Sequence, residues 1–573
     1  MKKHAHNSWI LLLSLILLAT SLADADAIPT PARAGWHRPA PKASSLFRRF
    51  RSLQKEFAAR GRVYVPGKPK TIVVMPSLSL DPDELAKVKG AALYEERMLY
   101  NILHLRDTSA QVRYLSSHRI DPTIVSYYLD LLPAAVRKTA PSRLKMISVD
   151  PQNRFGNGVP LSLKLQKSPK AMARVLKGLR LNQAHLYPFN VNLPEAQTAL
   201  KLGIPILGAR PEHAHRFGSK AGCRRTFAEA GVPHPAGITE VRSVDALVQK
   251  LARFVEDHPA TRRVVVKLND GFSGEGNAML GLEGLAKLKG RAREQEIARR
   301  LPKMKFMASA ETWAHYRKQI PKLGAIAEAF IEGKVKRSPS VQVYIGPGGH
   351  VEILSTYEQI LGGPGGQEYL GGPGLAHADY RQHLQEVGLK VGKRLAKEGV
   401  MGRFAIDFMA VKRETSSPAL AALAGKLKGD GPTGWDVQAI EINLRAGGTT
   451  HPTNMAKLLL NGHYDMASGA MVSGTTGRKR FYMGHDNVDK EIGSDKLQGL
   501  SPADVMGILK RSGLHYDGHK ESGVVLHLMG AIKDYGKVGF TVIGATPDQV
   551  DKVYKRTMRV LAAEGPTVTR VRR

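Results

Sequence analysis

A chain of 573 residues is too long for one hydrophobic core and points to about three or four domains. Its 42% hydrophobic content, with charge of both signs throughout, indicates a globular protein rather than a disordered one. Lys and Arg number 85 against 50 acidic residues, a formal net charge of +35, so the surface field favours phosphate-bearing small molecules, nucleic acid or anionic membrane without choosing among them. The basic residues are spread out, with only short runs such as Phe47 to Arg51 and the tail Arg570 to Arg573. An aromatic content of 6% argues against a stacking platform for single-stranded nucleic acid. The single cysteine, Cys223, excludes an intramolecular disulfide framework and a thiolate metal cluster.

Met1-Lys-Lys3, the apolar run Trp9 to Ala19 and Ala23 to Ala27 make residues 1–27 a signal-peptide-like segment, too short for a comfortable membrane span. Residues 28–68, rich in Pro, Ala and Arg without a sustained period, read as a linker. Strands are expected at Thr71–Met75, Gln111–Leu115, Met146–Val149 and Ile204–Leu207, with a helix over Ala91–Leu105. The alternation implies an α/β domain, 69–207, with a mostly parallel sheet. Within it, Asn153 to Gly158 reads as a turn, with a ligand-touching loop as the other reading.

A second unit, 208–475, begins with helical spacing over Lys220–Ala230, stopped by Gly231-Val-Pro-His-Pro235. Strands follow at Arg263–Leu268 and Leu323–Phe330, then Val351–Ser355, a helix at Tyr380–Lys397, and two strands flanking an insertion at Thr415–Gly434 that reads as a long hairpin loop. Gly362 to Gly374 is too rich in glycine to hold a regular element, and is either a substrate-covering lid or a surface loop. The last unit, 481–573, reads as a compact α+β module: strands at Gly523–Met529 and Lys537–Ile543, then a helix over Pro547–Ala563 with Val550, Val553, Tyr554 and Leu561 inward.

Three segments carry chemistry. In Trp435 to Arg445, strand alternation puts Glu441, Asn443 and Arg445 on one face and Ile440, Ile442 and Leu444 on the other; in Arg403 to Met409 it groups Arg403 with Asp407. If the two strands pair, Asp407 meets Glu441 and Asn443, a hard oxygen set suited to Mg²⁺; by pattern alone an exposed strand face is the commoner reading. Lys267 ends an apolar strand and is followed by Gly271, Ser273, Gly274 and Gly276, a loop able to cradle phosphate, although a glycine turn by itself is weak evidence. Ala325 to Gly333 could present backbone to an adenine edge or simply end in a charged turn. His377, His383, His451 and His463 are scattered and none is read as a metal ligand; His451 is a candidate substrate contact.

Together and in this order these segments resemble the ATP-grasp family. The resemblance covers roughly Gly208 to Pro452 and implies an α/β (α+β) architecture: an N-terminal pre-ATP-grasp domain, a two-lobed ATP-grasp unit and the C-terminal module. It implies that Lys220 and Lys267 hold the polyphosphate of ATP beneath the loop Gly271, Ser273, Gly274 and Gly276. It further implies that Glu328, Ala329, Phe330 and Ile331 form the adenine hinge and that Asp407, Glu441 and Asn443 bind Mg²⁺. Arg445, in Glu441-Ile-Asn-Leu-Arg445, would steady the acyl-phosphate oxyanion, with Arg403 as a further catalytic candidate. Asn153 to Gly158 and Val524 to Gln549 are similar to the pheganomycin-type peptide ligases. Two features depart from the family pattern. The ribose-binding acid is not evident, Glu332 coming early, and Ala405 stands where some members have an arginine, with Arg403 one pleat repeat away. The implied activity is ATP- and Mg²⁺-dependent, ADP-forming joining of a small-molecule carboxylate to an amine or peptide, with no specific nucleic acid partner. The rival readings are a relic fold binding nucleotide or polyanion, and an extracytoplasmic binding protein. The N-terminus predicts export whereas an ATP requirement favours the cytoplasm.

Overall fold

The structure, a computed structural model, describes residues 43–79, 90–269, 276–308, 311–362, 368–413, 434–486 and 488–571. The export-like segment 1–27, residues Gly271, Ser273 and Gly274, and the insertion up to residue 433 lie outside them. Contacts separate Met1–Arg48 from Arg49–Arg573. Of the first piece only the start of a helix, Ala43–Ala59, is described. The expected linker 28–68 therefore contains a helix. Phe50, Gln54 and Phe57 recur at helical intervals and are buried, a stripe that the surrounding Pro and Arg residues conceal in the sequence.

β1 (Lys70–Met75), β2 (Ala110–Ser116), β3 (Leu144–Ser148) and β4 (Ala184–Pro188) form a parallel sheet in the order β3-β2-β1-β4. Every residue of β1 is buried, as expected for a parallel strand covered on both faces. The expected helix after β1 is present over Ala91–Arg106 but with the tighter 3-10 winding. The expected strand at Ile204–Leu207 is only an isolated bridge, Leu186 to Ile206, since Pro205 has no N–H to extend a ladder. Asn153 to Gly158 is a turn, held by the Asp150 carboxylate accepting from the N–H groups of Arg154 at 2.8 Å and Phe155 at 3.0 Å.

β5 (Gly237–Val241), β6 (Arg263–Leu268), β7 (Asn277–Gly281), β8 (Lys305–Phe306) and β9 (Ala325–Ala329) make an antiparallel sheet ordered β5-β9-β6-β7-β8. Next along the chain are β10 (Lys336–Arg337), β11 (Pro339–Ile345), β12 (Val351–Glu358), β13 (Ile360–Gly362), β14 (Glu368–Pro373), β15 (Gly402–Lys412) and β16 (Trp435–Asn443). β10, β15, β11 and β12 follow one another in a sheet, with β16 on β15. Its apolar face, including Phe404, Ile406, Phe408 and Ile442, shares a core with Leu384, Val387 and Val391 of helix Ala378–Lys397.

β13 and β14 pair antiparallel, so within Gly362 to Gly374 the described residues 362 and 368–373 are strand, contrary to the expectation of no regular element. A Cβ on Gly371 would lie 2.3 Å from the Gly484 carbonyl oxygen. Glycine is what lets the strands come together there. β14 pairs with β19 (Lys479–His485), in one sheet with β17 (His463–Tyr464), β18 (Met471–Val472), β20 (Gly523–His527) and β21 (Gly539–Gly544). Helix Pro547–Val571 covers this sheet with Val550 and Leu561 inward and Val553 and Tyr554 packed alongside. Among the described residues no helix is long and apolar enough to cross a membrane.

Candidate active site

β15 and β16 pair antiparallel, with Asp407 directly opposite Glu441 and Ala405 opposite Asn443. The expected strand alternation holds for Ile442 and Leu444, which are buried, but not for Ile440, which is half-buried. The cause is a bulge: the register shifts between Asp407 and Phe408, so Phe408 faces Ala439 and Ile440 is left over. Upstream of it Trp435, Val437 and Ala439 face the core; beyond it Ile442 and Leu444 do. The extra residue is what turns Glu441 and Asn443 to the side of Asp407.

Asp407 accepts hydrogen bonds from Asn443 Nδ2 at 2.7 Å and Gln359 Nε2 at 2.8 Å. Burial, then the Glu441 carboxylate across the ladder, push its pKa up to about 7, while Gln359, Arg445 and Asn443 pull the other way. Two partly exposed carboxylates facing each other across a ladder are stabilised by a divalent cation, so Asp407, Glu441 and the Asn443 amide fit Mg²⁺.

Lys220 opens helix Lys220–Glu229, which Ser219 caps by accepting from Gly222 N–H at 3.2 Å. A Cβ at Gly222 would lie 2.1 Å from the Arg216 carbonyl oxygen, so only glycine lets this helix start so close to the preceding one. The Lys220 backbone N–H donates to the Asn269 carbonyl at 3.1 Å and that of Ala221 to Asn269 Oδ1 at 2.8 Å. The helix start is thereby tied to the end of β6, at the mouth of the glycine loop. Lys220 Nζ lies 3.9 Å from Glu441 Oε1, which joins the head of this helix to the β15–β16 pair. Among the described residues Asn269 Nδ2 is buried without a hydrogen-bond partner, a donor suited to a phosphate oxygen.

Glu328 on β9 and Val265 on β6 are partners, which puts Glu328 on the face of Lys267. Its carboxylate is buried, pairs with Lys267 Nζ, and accepts from Arg224 Nη1 at 2.9 Å. Burial works to raise its pKa, and the two cations overcome that and hold it below the ordinary value. Sequence reasoning found Glu328 and Lys267 but not their union or Arg224. In the segment expected to form the hinge, the Ala329 and Phe330 N–H groups donate to the Ala236 and Arg263 carbonyls at 2.8 and 3.0 Å, and Lys336 Nζ donates to the Ile331 carbonyl at 2.7 Å. The Phe330 ring lies 4.1 Å beneath the Arg263 guanidinium and 4.2 Å from Lys336 Nζ. Glu332 forms a two-bond pair with Arg263, 2.9 Å at each contact.

Arg445 follows the last residue of β16 by two and donates to the Ala446 carbonyl at 3.2 Å. Arg403 is opposite Tyr344, four residues from Asp407 on β15, and its guanidinium is 5.5 Å from the Tyr344 ring centroid. Burial lowers its pKa, and the Tyr187, Tyr100, Tyr64 and Tyr344 hydroxyls more than restore it. It thus sits among tyrosines rather than beside the paired carboxylates. Cys223 is buried against Ile442 N–H at 3.2 Å, and burial pushes its thiol up to about 12, which makes it a packing residue. His451 is also buried, against Asp486 at 2.5 Å and His527 at 3.1 Å, a grouping that sequence reasoning missed because its members come from three distant segments.

Residues 211–308 and 295–424 match the family model described as IQCH-like, ATP-grasp, and 504–557 match that of the PGM1 C-terminal domain. The part of the chain from 211 to 424 is thus similar to an ATP-grasp family model, within a mixed α/β fold. Among individual relatives, the L-propargylglycine–L-glutamate ligase of Streptantibioticus cattleyicolor is 26% identical over 519 residues, 89% of this chain and 97% of that protein. The IQ motif-containing protein H of Danio rerio is 24% identical over 386 residues, 60% of this chain, and the chain spans only 36% of that relative's length. A solved biotin carboxylase from Campylobacter jejuni, a β,γ-ATP complex, is similar at 12% identity and a TM-score of 0.48, covering 87% of this chain and 95% of its own.

Proposed function

We propose that the chain is an ATP- and Mg²⁺-dependent, ADP-forming ligase that activates a carboxylate as its acyl-phosphate and joins it to an amine, making an amide or peptide bond. The observation that carries this reading is the placement of Asp407 opposite Glu441 with Lys220 Nζ 3.9 Å from Glu441. That arrangement has paired acids for a divalent ion and a cation for phosphate in one place. Amino acids are the proposed substrates, in keeping with a relative whose name gives two of them.

A carboxylate resists attack by an amine because its leaving group would be oxide, and phosphorylation supplies a better one. Lys220 and Lys267 neutralise the polyphosphate, and Asn269 is a neutral donor beside them. Asp407, Glu441 and Asn443 would hold Mg²⁺, which supplies charge neutralisation at the transferring phosphoryl group. Arg445 stabilises the oxyanion formed when the amine adds to the acyl-phosphate, whereas Arg403, held among tyrosines, has no part in this scheme. Glu328 fixes Lys267 rather than touching phosphate. The reaction proposed needs no covalent enzyme intermediate, in keeping with a lone cysteine that is buried and whose thiol burial holds protonated.

The test is an ADP-release screen over amino acid and dipeptide pairs with purified full-length protein and its Glu441→Gln variant. Charge stabilisation by a bound ion contributes several kcal/mol, so the variant is expected to lose at least about 100-fold in turnover. Product mass should equal the sum of the two substrates less water. Near-native turnover in Glu441→Gln would remove this residue from the ion site.

A further inference from the structure

Away from the Asp407 and Glu441 pair, three side chains from separate elements meet at one point. His451 lies in the first turn of helix Thr450–Leu459, Asp486 directly after β19, and His527 at the end of β20. They are 2%, 2% and 0% exposed. His451 Nε2 is 2.5 Å from Asp486 Oδ1, His527 Nε2 is 3.0 Å from the same oxygen, and the two imidazole nitrogens are 3.1 Å apart.

Hydrogen bonds cannot account for this triangle. An imidazole Nε2 carries at most one proton and an ionised carboxylate none, so two of the three edges can be bonded and the third sets like groups together. A cation accounts for all three edges, because each atom can direct a lone pair at it. Ligand atoms 2.5, 3.0 and 3.1 Å apart can all lie at the usual zinc–ligand distance of about 2.0–2.1 Å from one ion placed to the side of their plane.

The surroundings fit a built site. Asp486 Oδ2 lies 3.2 Å from Arg97 Nη2, and the Arg97 guanidinium stacks 4.0 Å from the Tyr94 ring, so the carboxylate is oriented from behind. The Asp486 backbone N–H donates to the Leu370 carbonyl at 2.9 Å. A Cβ on Gly539 would lie 2.1 Å from His527 Nε2, so this glycine keeps the approach to that nitrogen clear.

We infer that His451, Asp486 and His527 bind one Zn²⁺ ion, separate from the Mg²⁺ of the proposed reaction. Two imidazoles and a carboxylate favour a borderline transition ion over Mg²⁺, which prefers oxygen ligands and retained water. The ion would clamp helix Thr450–Leu459, the element after the Glu441 strand, to β19 and β20.

Full-length protein loaded with zinc and desalted should carry about one zinc per chain by plasma mass spectrometry of all first-row metals. Glu441→Gln should keep that zinc, and His527→Ala should reduce it at least about tenfold. Since a buried substitution can unfold the region, wild-type protein loaded with Co²⁺ provides a second readout. A visible absorption band that stoichiometric Zn²⁺ abolishes is the expected result. Wild-type chain that stays free of metal, holds a different ion, or keeps its zinc in folded His527→Ala overturns the assignment.

Discussion

A buried carboxylate flanked by two cations is worth most as a device for holding one of them still. Glu328 lies between Lys267 and Arg224 with 3% of its surface exposed. Replacing it with glutamine leaves two positive groups without their counter-charge in a desolvated spot, an arrangement that costs about 3–5 kcal/mol when a buried pair is broken from one side. Glu328→Gln should therefore lower the urea midpoint by far more than Lys267→Met, which leaves Arg224 still paired. ATP affinity separates the roles further. If Glu328 acts on nucleotide only through Lys267, the losses in Glu328→Gln and in Lys267→Met will not add in the double variant. Additive losses would mean that Glu328 meets the nucleotide independently.

Among the elements, the clearest test concerns the junction at the head of β1. Lys70 Nζ lies 2.6 Å from Asp107 Oδ2, just past the end of helix Ala91–Arg106, and Asp107 also accepts from the Ser109 N–H and hydroxyl at 2.9 and 2.7 Å. Burial works to raise the Asp107 pKa, and these donors bring it down to about 2 from the ordinary 3.8. A carboxylate depressed in the folded state stabilises it above the unfolded value, and the gain disappears as pH falls through the folded one. Asp107→Asn should cost about 1 kcal/mol at pH 7, allowing for solvent screening. Urea midpoints of variant and wild type should converge between about pH 4 and pH 2. A gap that persists at the acid end would assign the effect to packing.

Strands declared themselves in the sequence through side-chain period: Phe404, Ile406 and Phe408 against Asp407 are legible because alternation is a local property. The bulge at Ile440 was not, since an extra residue shows only against a partner strand 33 residues upstream. The site divides the same way. Asp407, Glu441 and Asn443 lie on recognisable strands, whereas Lys220 became legible only through its resemblance to a known family. Arg224 and the His451, Asp486 and His527 group are brought together by tertiary folding alone.

At the scale of the whole molecule, the first sheet and the last share one core. Ile72, Val74, Val112 and Tyr114 pack in a continuous cluster with Val524, Leu526, Phe540 and Leu561. Polar links cross the same seam: the Leu526 N–H donates to the Tyr127 hydroxyl at 2.9 Å, the Tyr128 hydroxyl donates to the Leu526 carbonyl at 3.2 Å, and the Gly530 N–H donates to Glu96 at 2.7 Å. A chain cut after residue 478 should lose cooperative unfolding and bind a hydrophobic dye, because it exposes an apolar face that the native protein covers. A monodisperse product with a sharp thermal transition would show that the first sheet is self-sufficient.

This seam also sets a schedule for the newborn polypeptide. At ordinary rates of synthesis, the sheet completed by about residue 190 waits roughly half a minute before the strands that will seal its open side leave the ribosome. Through that interval it presents a greasy surface to the cell, so the success of making this protein rests on whatever shields a half-finished molecule as much as on the strength of the finished one.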